Sequence, residues 1–305
     1  MQKSTACRFH RTLLKWYRTE GRAFPWRRTR NPYRILVSEV MLQQTQTSRV
    51  LEKYPEFIHR FPSAKDLARA QRRTVIRAWR GMGYNNRAVR LHALAHAIVA
   101  GHAGIVPVNH DTLLSLPGIG RYTANAVLSF AFHRRVPVVE TNIRRVLSRI
   151  LFRMRRSSDL SDPAVIWHEA ARLLPERRSY DWNQALMDLG AMVCTARNPR
   201  CGHCPVSSLC ASSGTVSAPA VTEPRREPSF NGIPNRIHRG RIVELLRNTG
   251  NRRGISVSRL GQGVHKNFRP AHLNWLRSLI ASLERDGLVS VTNRNSPTGG
   301  TVRLA

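Results

Sequence analysis

The chain has 305 residues, 41% of them hydrophobic, with 50 Lys and Arg against 18 Asp and Glu and a formal net charge of +32. That much apolar residue over that length buries at least one full core, which excludes a disordered chain, and no apolar run is long enough to span a bilayer. The charge excess works against compaction and points to a polyanion as partner; the arginines are spread through all regions and not gathered on one cationic helix, so nucleic acid is favoured over a membrane surface.

Helical periodicity dominates from the start. Phe9, Leu13, Trp16 and Tyr17 form one apolar stripe before a turn at Phe24-Pro25-Trp26. A second helix is predicted from 32 to 53, with Ile35, Val40 and Leu42 apolar, and further helices at 63–70, 73–80, 86–100, 111–116, 121–132, 141–152, 163–174 and 180–193. Pro62, Pro107, Pro117, Pro137, Pro163 and Pro175 fall between these helices or at their starts, where proline is tolerated. With no strand pair expected before residue 285, the body is all-α.

Composition shifts at residues 211–235, a stretch rich in Ser, Pro and charge that includes Pro219, Pro224, Pro228 and Pro234 and reads as a linker. Beyond it, Ile242, Leu245 and Leu246 mark one helix, residues 256–264 a short one, and Leu276, Leu279, Ile280 and Leu283 a third. Leu288, Val289 and Val291, a turn at 293–300, then Val302 and Leu304 read as a hairpin. Three helices and a hairpin predict a winged-helix-like module at 236–305, either DNA-binding through basic residues such as Arg269, Arg277 and Arg294 or devoted to protein contact.

Two motifs carry chemistry. Leu116-Pro117-Gly118-Ile119-Gly120-Arg121-Tyr122-Thr123 lies between two apolar helical stretches. Its paired glycines predict a tight turn that aims backbone N–H groups at a phosphate from the start of the next helix, although alone it also fits an ordinary interhelical turn. Cys194, Cys201, Cys204 and Cys210 stand as C-x6-C-x2-C-x5-C within seventeen residues, and only Cys7 lies elsewhere. Thiolates so gathered hold a metal centre. Zinc ribbons pair two C-x2-C units, so the uneven spacing favours a 4Fe–4S cluster over zinc, and with no secretory signal expected, over two disulfides.

Taken with Pro25-Trp26-Arg27, Ser38-Glu39-Val40-Met41-Leu42-Gln43-Gln44-Thr45-Gln46, Gly81-Met82-Gly83-Tyr84, the stretch Asn142 to Val146 and Asn183-Gln184-Ala185-Leu186-Met187-Asp188-Leu189-Gly190, these motifs make the chain resemble, from about Phe24 to Cys210, the helix–hairpin–helix DNA glycosylases with an iron–sulfur cluster, and among them the MutY-like adenine glycosylases. The resemblance implies an all-α helix–hairpin–helix glycosylase fold. An iron–sulfur domain is expected at 1–29 and 133–210, a six-helix barrel domain at 30–132, the linker at 211–235 and the winged-helix-like module at 236–305. It also implies double-stranded DNA with a mispaired or damaged base as the substrate; with no targeting signal expected, reduced thiols and DNA as partner, a monomer at the nucleoid in the cytoplasm is expected, not one acting on membranes.

Breaking a base–sugar bond needs a proton for the leaving base and an anion beside the cationic sugar. The resemblance gives Glu39 the acid's role, and burial in that apolar stretch would keep it protonated. Gln43, Gln44 and Thr45 fall where the family wedges into the duplex, and Tyr84 where a tyrosine stacks beside the lesion strand, with a core aromatic as its plain alternative. Arg27, Gly118, Gly120 and Thr123 complete the expected DNA contacts. Tyr122 stands where lyases of this superfamily carry the amine nucleophile, so hydrolysis without a Schiff base is expected. The chain departs from the family at Glu140, which with Asn142 occupies the place of an aspartate two residues before an asparagine. Its carboxylate reaches about one C–C bond further. Beyond residue 235 the usual domain that checks for 8-oxoguanine is not recognisable. Besides adenine excision, a thymine or uracil glycosylase acting opposite guanine and a non-catalytic DNA-binding relative are the alternatives.

Overall fold

The computed structural model describes residues 2–154, 162–215, 227–249, 254–293 and 300–305. Residues 216–226 of the expected linker, Arg294 and the centre of the 293–300 turn lie outside them. Among the described residues eleven α-helices precede the cysteine loop: α1 (Lys3–Glu20), α2 (Pro32–Leu42), α3 (Thr47–Arg60), α4 (Ala64–Arg69), α5 (Arg72–Ala78), α6 (Asn86–His102), α7 (His110–Ser115), α8 (Arg121–Phe130), α9 (Thr141–Phe152), α10 (Ala164–Arg172) and α11 (Ser179–Met192). After it come β1 (Ser229–Phe230), β2 (Ile233–Pro234), α12 (Asn235–Asn248), β3 (Ile255–Ser256), α13 (Val257–Val264), α14 (Leu273–Arg285), β4 (Val289–Thr292) and β5 (Thr301–Leu304).

Two expectations are corrected. The single helix over 32–53 is broken: α2 ends at Leu42 and α3 starts at Thr47, because Gln44 turns left-handed at φ 55°. The absence of strand pairing before residue 285 also fails. Ser229 and Phe230 pair with Pro234 and Ile233, and Ile255 pairs with Val302, giving a sheet in the order β3-β5-β4. These strands are two residues long, too short for an alternating pattern to register.

The chain forms two compact units. One comprises residues 1–36, 108–115 and 119–223; the other comprises 37–107, 116–118 and 224–305. In the first, α1 buries Phe9 and Leu13 against α11, where Phe9 meets Trp182 edge-on with ring centroids 4.8 Å apart. Val146, Leu147 and Ile150 of α9 and Ile166 of α10 complete that core. Fully burying each such side chain contributes roughly 1.5–3 kcal/mol. A buried ion pair closes the N-terminal segment: Asp188 on α11, fully buried, accepts from Arg22 and takes both terminal nitrogens of Arg27 at 2.7 and 2.8 Å. Burial alone would raise the Asp188 carboxyl; the two arginines hold it below its ordinary value.

In the second unit α4 and α5 pack on α6, and α12, α13, α14 and the three-stranded sheet form the expected winged-helix-like module. Its core of Ile242, Leu246, Leu260, Leu276, Leu283 and Val302 is continuous with Ile76 of α5.

Candidate active site and cysteine cluster

Glu39 lies on the part of α2 that belongs to the second unit and is only 5% exposed, on a helix that also buries Ile35, Leu36, Val37, Val40 and Met41. Three residues further on, after Leu42, the chain leaves the helix and exposes Gln43 and Gln44, with Thr45 half-buried. The turn at 81–84 is set by three left-handed residues, Gly81 (φ 82°), Gly83 (φ 68°) and Tyr84 (φ 40°). Tyr84 is 52% exposed, which removes the core-aromatic alternative.

One residue that sequence reasoning missed joins these two segments. Arg87, 5% exposed, donates from Nη1 to the carbonyls of Val40, Met41 and Gln43, and from Nη2 to Thr45 Oγ1 and the carbonyls of Met82 and Gly83. It also lies over the rings of Trp79 and Tyr84. Burial pulls its guanidinium down to about 10, leaving it charged at neutral pH and well placed against the carbonyl end of α2. A signal for it existed: Arg87 shares the apolar register of Leu91, Leu94 and Ile98 on α6. A small cavity between Val40, Gln43, Arg87, Arg90, Pro117 and Gly118 brings the wedge segment up to the glycine turn.

That turn has the expected form. Gly118 is left-handed at φ 80°, Ile119 is buried, and exposed Gly120 caps α8, where an added Cβ would meet nothing within 4 Å. Backbone N–H groups there are open to a phosphate. Tyr122 is half-buried in the first turn of α8. Two expected DNA contacts are corrected. Thr123 is 4% exposed inside α8, and the Arg27 guanidinium is committed to Asp188.

In the first unit, Glu140 caps α9, its Oε1 accepting from Ile143 N at 3.0 Å. The approach to it is held from both sides: Asn125 donates to Pro137 O, while Asn183 donates to Ser129 Oγ and Val136 O and accepts from Val138 N. Burial pushes the Glu140 carboxyl up, opposed by the N–H groups of Asn142 and Ile143 and by Arg145. Asn142 packs under Gly190 so closely that a Cβ on the glycine would lie 2.6 Å from its own. Arg145 ties Asn142 Oδ1, Gly190 O and Cys194 O together, joining the α9 terminus to the first cysteine.

Cys194, Cys201, Cys204 and Cys210 line one shared cavity with Arg149. Arg149, 2% exposed, donates to Cys194 Sγ at 3.3 Å and to the carbonyls of Thr195 and Ala196. Burial pushes the Cys204 thiol up to about 11 and Cys210 upward, so thiolates there require a cation. Among the described residues no three His, Cys, Asp or Glu side chains converge as ligands of one ion. Thiolates around zinc crowd to about 2.3 Å from it; four cysteines spaced around a common cavity with a donor aimed at sulfur fit a multi-iron cluster.

Comparison with known proteins agrees with this geometry. Residues 37–162 match the HhH-GPD superfamily of base excision DNA repair proteins, and 194–210 match the iron–sulfur binding domain of endonuclease III. An adenine DNA glycosylase of Mycobacterium tuberculosis is 43% identical over 239 residues, 77% of each chain, and the human one 41% over 251 residues, 79% of this chain and 44% of its own. Among solved structures, a thermostable thymine-DNA glycosylase superposes with TM-score 0.65 at 32% identity, over 69% of this chain and 97% of its own. An endonuclease III–DNA complex (TM-score 0.60, 24% identity, 70% of this chain and 97% of its own) shares the fold. The chain belongs to the adenine DNA glycosylase family of the HhH-GPD superfamily: a DNA N-glycosylase of base excision repair with an iron–sulfur cluster. None of its described helices is long and apolar enough to cross a membrane.

Proposed function

We propose that the chain removes adenine paired with 8-oxoguanine or guanine, hydrolysing the N-glycosidic bond of a flipped-out nucleotide without a lyase step, as a monomer at the nucleoid. The observation that carries this reading is the buried carboxyl of Glu39, placed directly before an exposed Gln43–Gln44 wedge. In this mechanism Glu39 delivers its proton to a ring nitrogen of the base as the bond to C1′ opens. Glu140 supplies negative charge to the cationic sugar, and water adds at C1′, its proton passing to the carboxylate that Glu39 became on protonating the base. Gln43, Gln44, Thr45 and Tyr84 hold the opened duplex, Gly118 and Gly120 a phosphate, and Asn142 orients the segment bearing Glu140. The four cysteines hold the cluster, which supplies a rigid scaffold for the loop carrying Arg197 and Arg200. The identity to adenine glycosylases over 77% of the chain supports adenine as the base.

The likeness to a thymine-DNA glycosylase supports a second reading, thymine opposite guanine. Duplexes bearing A·8-oxoguanine, A·G, T·G and U·G, incubated with the protein and then treated with alkali, separate the two. Strand breaks confined to the adenine duplexes are expected; breaks confined to T·G or U·G would transfer the assignment. Borohydride should trap no covalent protein–DNA adduct, since Tyr122 has no amine to form one.

A further inference from the structure

The C-terminal module has a surface that excision itself does not use. The exposed residues of α14 are Asn274, Arg277, Ser278, Ala281 and Arg285, one face of the helix, while Leu276, Leu279, Ile280 and Leu283 on the other are buried. That face carries two arginines and no carboxylate. The nearby acidic residues are engaged within the module: Asp286 pairs with Arg239, and Glu284 accepts from Val291 N. Lys266, Asn267 and Arg269, exposed in the connection from α13, extend the positive surface towards the start of α14.

We infer that this module is a second duplex-DNA contact, with α14 entering the major groove and Arg277 and Arg285 bonding phosphates on its two sides. The geometry favours this occupant. Helix, turn and helix followed by a hairpin is an arrangement that presents its later helix to a groove. Arg277 and Arg285 are eight residues apart on one helix, a rise of about 12 Å, close to the roughly 12 Å width of the major groove.

The module is also firmly held. Arg247, its side chain 4% exposed, donates from Nε and Nη2 to Ile76 O at 3.1 and 2.9 Å, capping the last turn of α5, and from Nη2 to Asn85 Oδ1 beside Tyr84. Arg80 pairs with Glu244 at 2.9 Å. These interactions use the end of α12 and leave the α14 face exposed. Duplex held by α14 is thereby kept in a fixed relation to the turn that presents Tyr84.

The test is the salt dependence of full-length protein binding to an undamaged duplex of about 30 base pairs, a measurement independent of which base is excised. Removing one arginine–phosphate bond should lower the slope of log K against log salt by about 0.9. Arg277→Ala/Arg285→Ala should therefore reduce it by nearly two and weaken binding about tenfold at low salt, while Arg277→Lys/Arg285→Lys should keep the slope. An unchanged slope in the alanine pair would overturn the inference and leave protein contact as the module's role. An equal fall in Arg8→Ala/Arg11→Ala, exposed on α1, would also overturn it by showing that only bulk charge matters.

Discussion

Arg87 bonds Thr45 Oγ1 at 2.8 Å and, with its other terminal nitrogen, the carbonyl of Gln43 at 2.5 Å. One buried cation thus fixes a turn more than forty residues earlier in the chain. Arg87→Met should lose at least about 2 kcal/mol in urea melts, because several buried carbonyls are left without a charged donor. Single-turnover base release at saturating DNA should fall tenfold or more through misplacement of the wedge. Arg87→Lys should rescue little, since an ammonium cannot span acceptors arranged around a planar fork. Native rates in both variants would show that the wedge holds its shape unaided.

Glu39→Gln should abolish base release while leaving DNA binding nearly intact. The amide keeps shape and hydrogen-bonding reach but cannot deliver a proton, and general acid catalysis is worth about a hundred- to ten-thousandfold. A single-turnover rate within a few-fold of the unmodified protein would remove Glu39 from the mechanism.

At Glu140, stability and activity should respond to pH in opposite directions. Its carboxyl is raised by burial in the folded protein. Stability from this group is therefore full below the unfolded glutamate pKa of about 4.3 and is lost as pH rises through the folded value. Base release needs the anion, so it should increase over that same window. Glu140→Asp should remain active and keep the α9 cap. Glu140→Gln should be almost inactive, with no such trend in melting temperature. Equal rates for Glu140→Gln and the parent on every mispair would make the carboxylate a helix cap alone.

Protein prepared anaerobically should contain iron and sulfide in equal amounts, and Cys201→Ser should lower folding yield and DNA affinity. Arg149→Leu should shed the cluster faster under chelation, since it removes the donor to Cys194 and the clamp on the carbonyls of Thr195 and Ala196. Stoichiometric zinc without iron would refute the cluster assignment.

Most helices were legible because their apolar residues recur at helical spacing, α9 to the residue. The cysteine spacing and the glycine turn were equally plain, since each depends on local chemistry. The break at Gln43–Gln46 was not, because Arg87 shapes it from another helix. Arg87, Arg149 and Arg247 all stand within or beside the apolar registers of their helices, where they donate to backbone carbonyls, Arg247 pairing with Glu244 as well. Local patterning counts such arginines as surface charge. Arg27 was misread in the opposite sense: its neighbours pointed to DNA, and its partner, Asp188, is 161 positions away.

The Asp188 clamp also orders events in time. The two arginines that grip it are made early, and at roughly 5–20 residues per second the ribosome needs about 8–30 s to reach their acid. Throughout that interval α1 lacks Trp182, its packing partner on α11, whereas the helices of 37–107 leave the ribosome as a consecutive run. The N-terminus should therefore be among the last parts of its unit to become resistant to protease on a nascent chain.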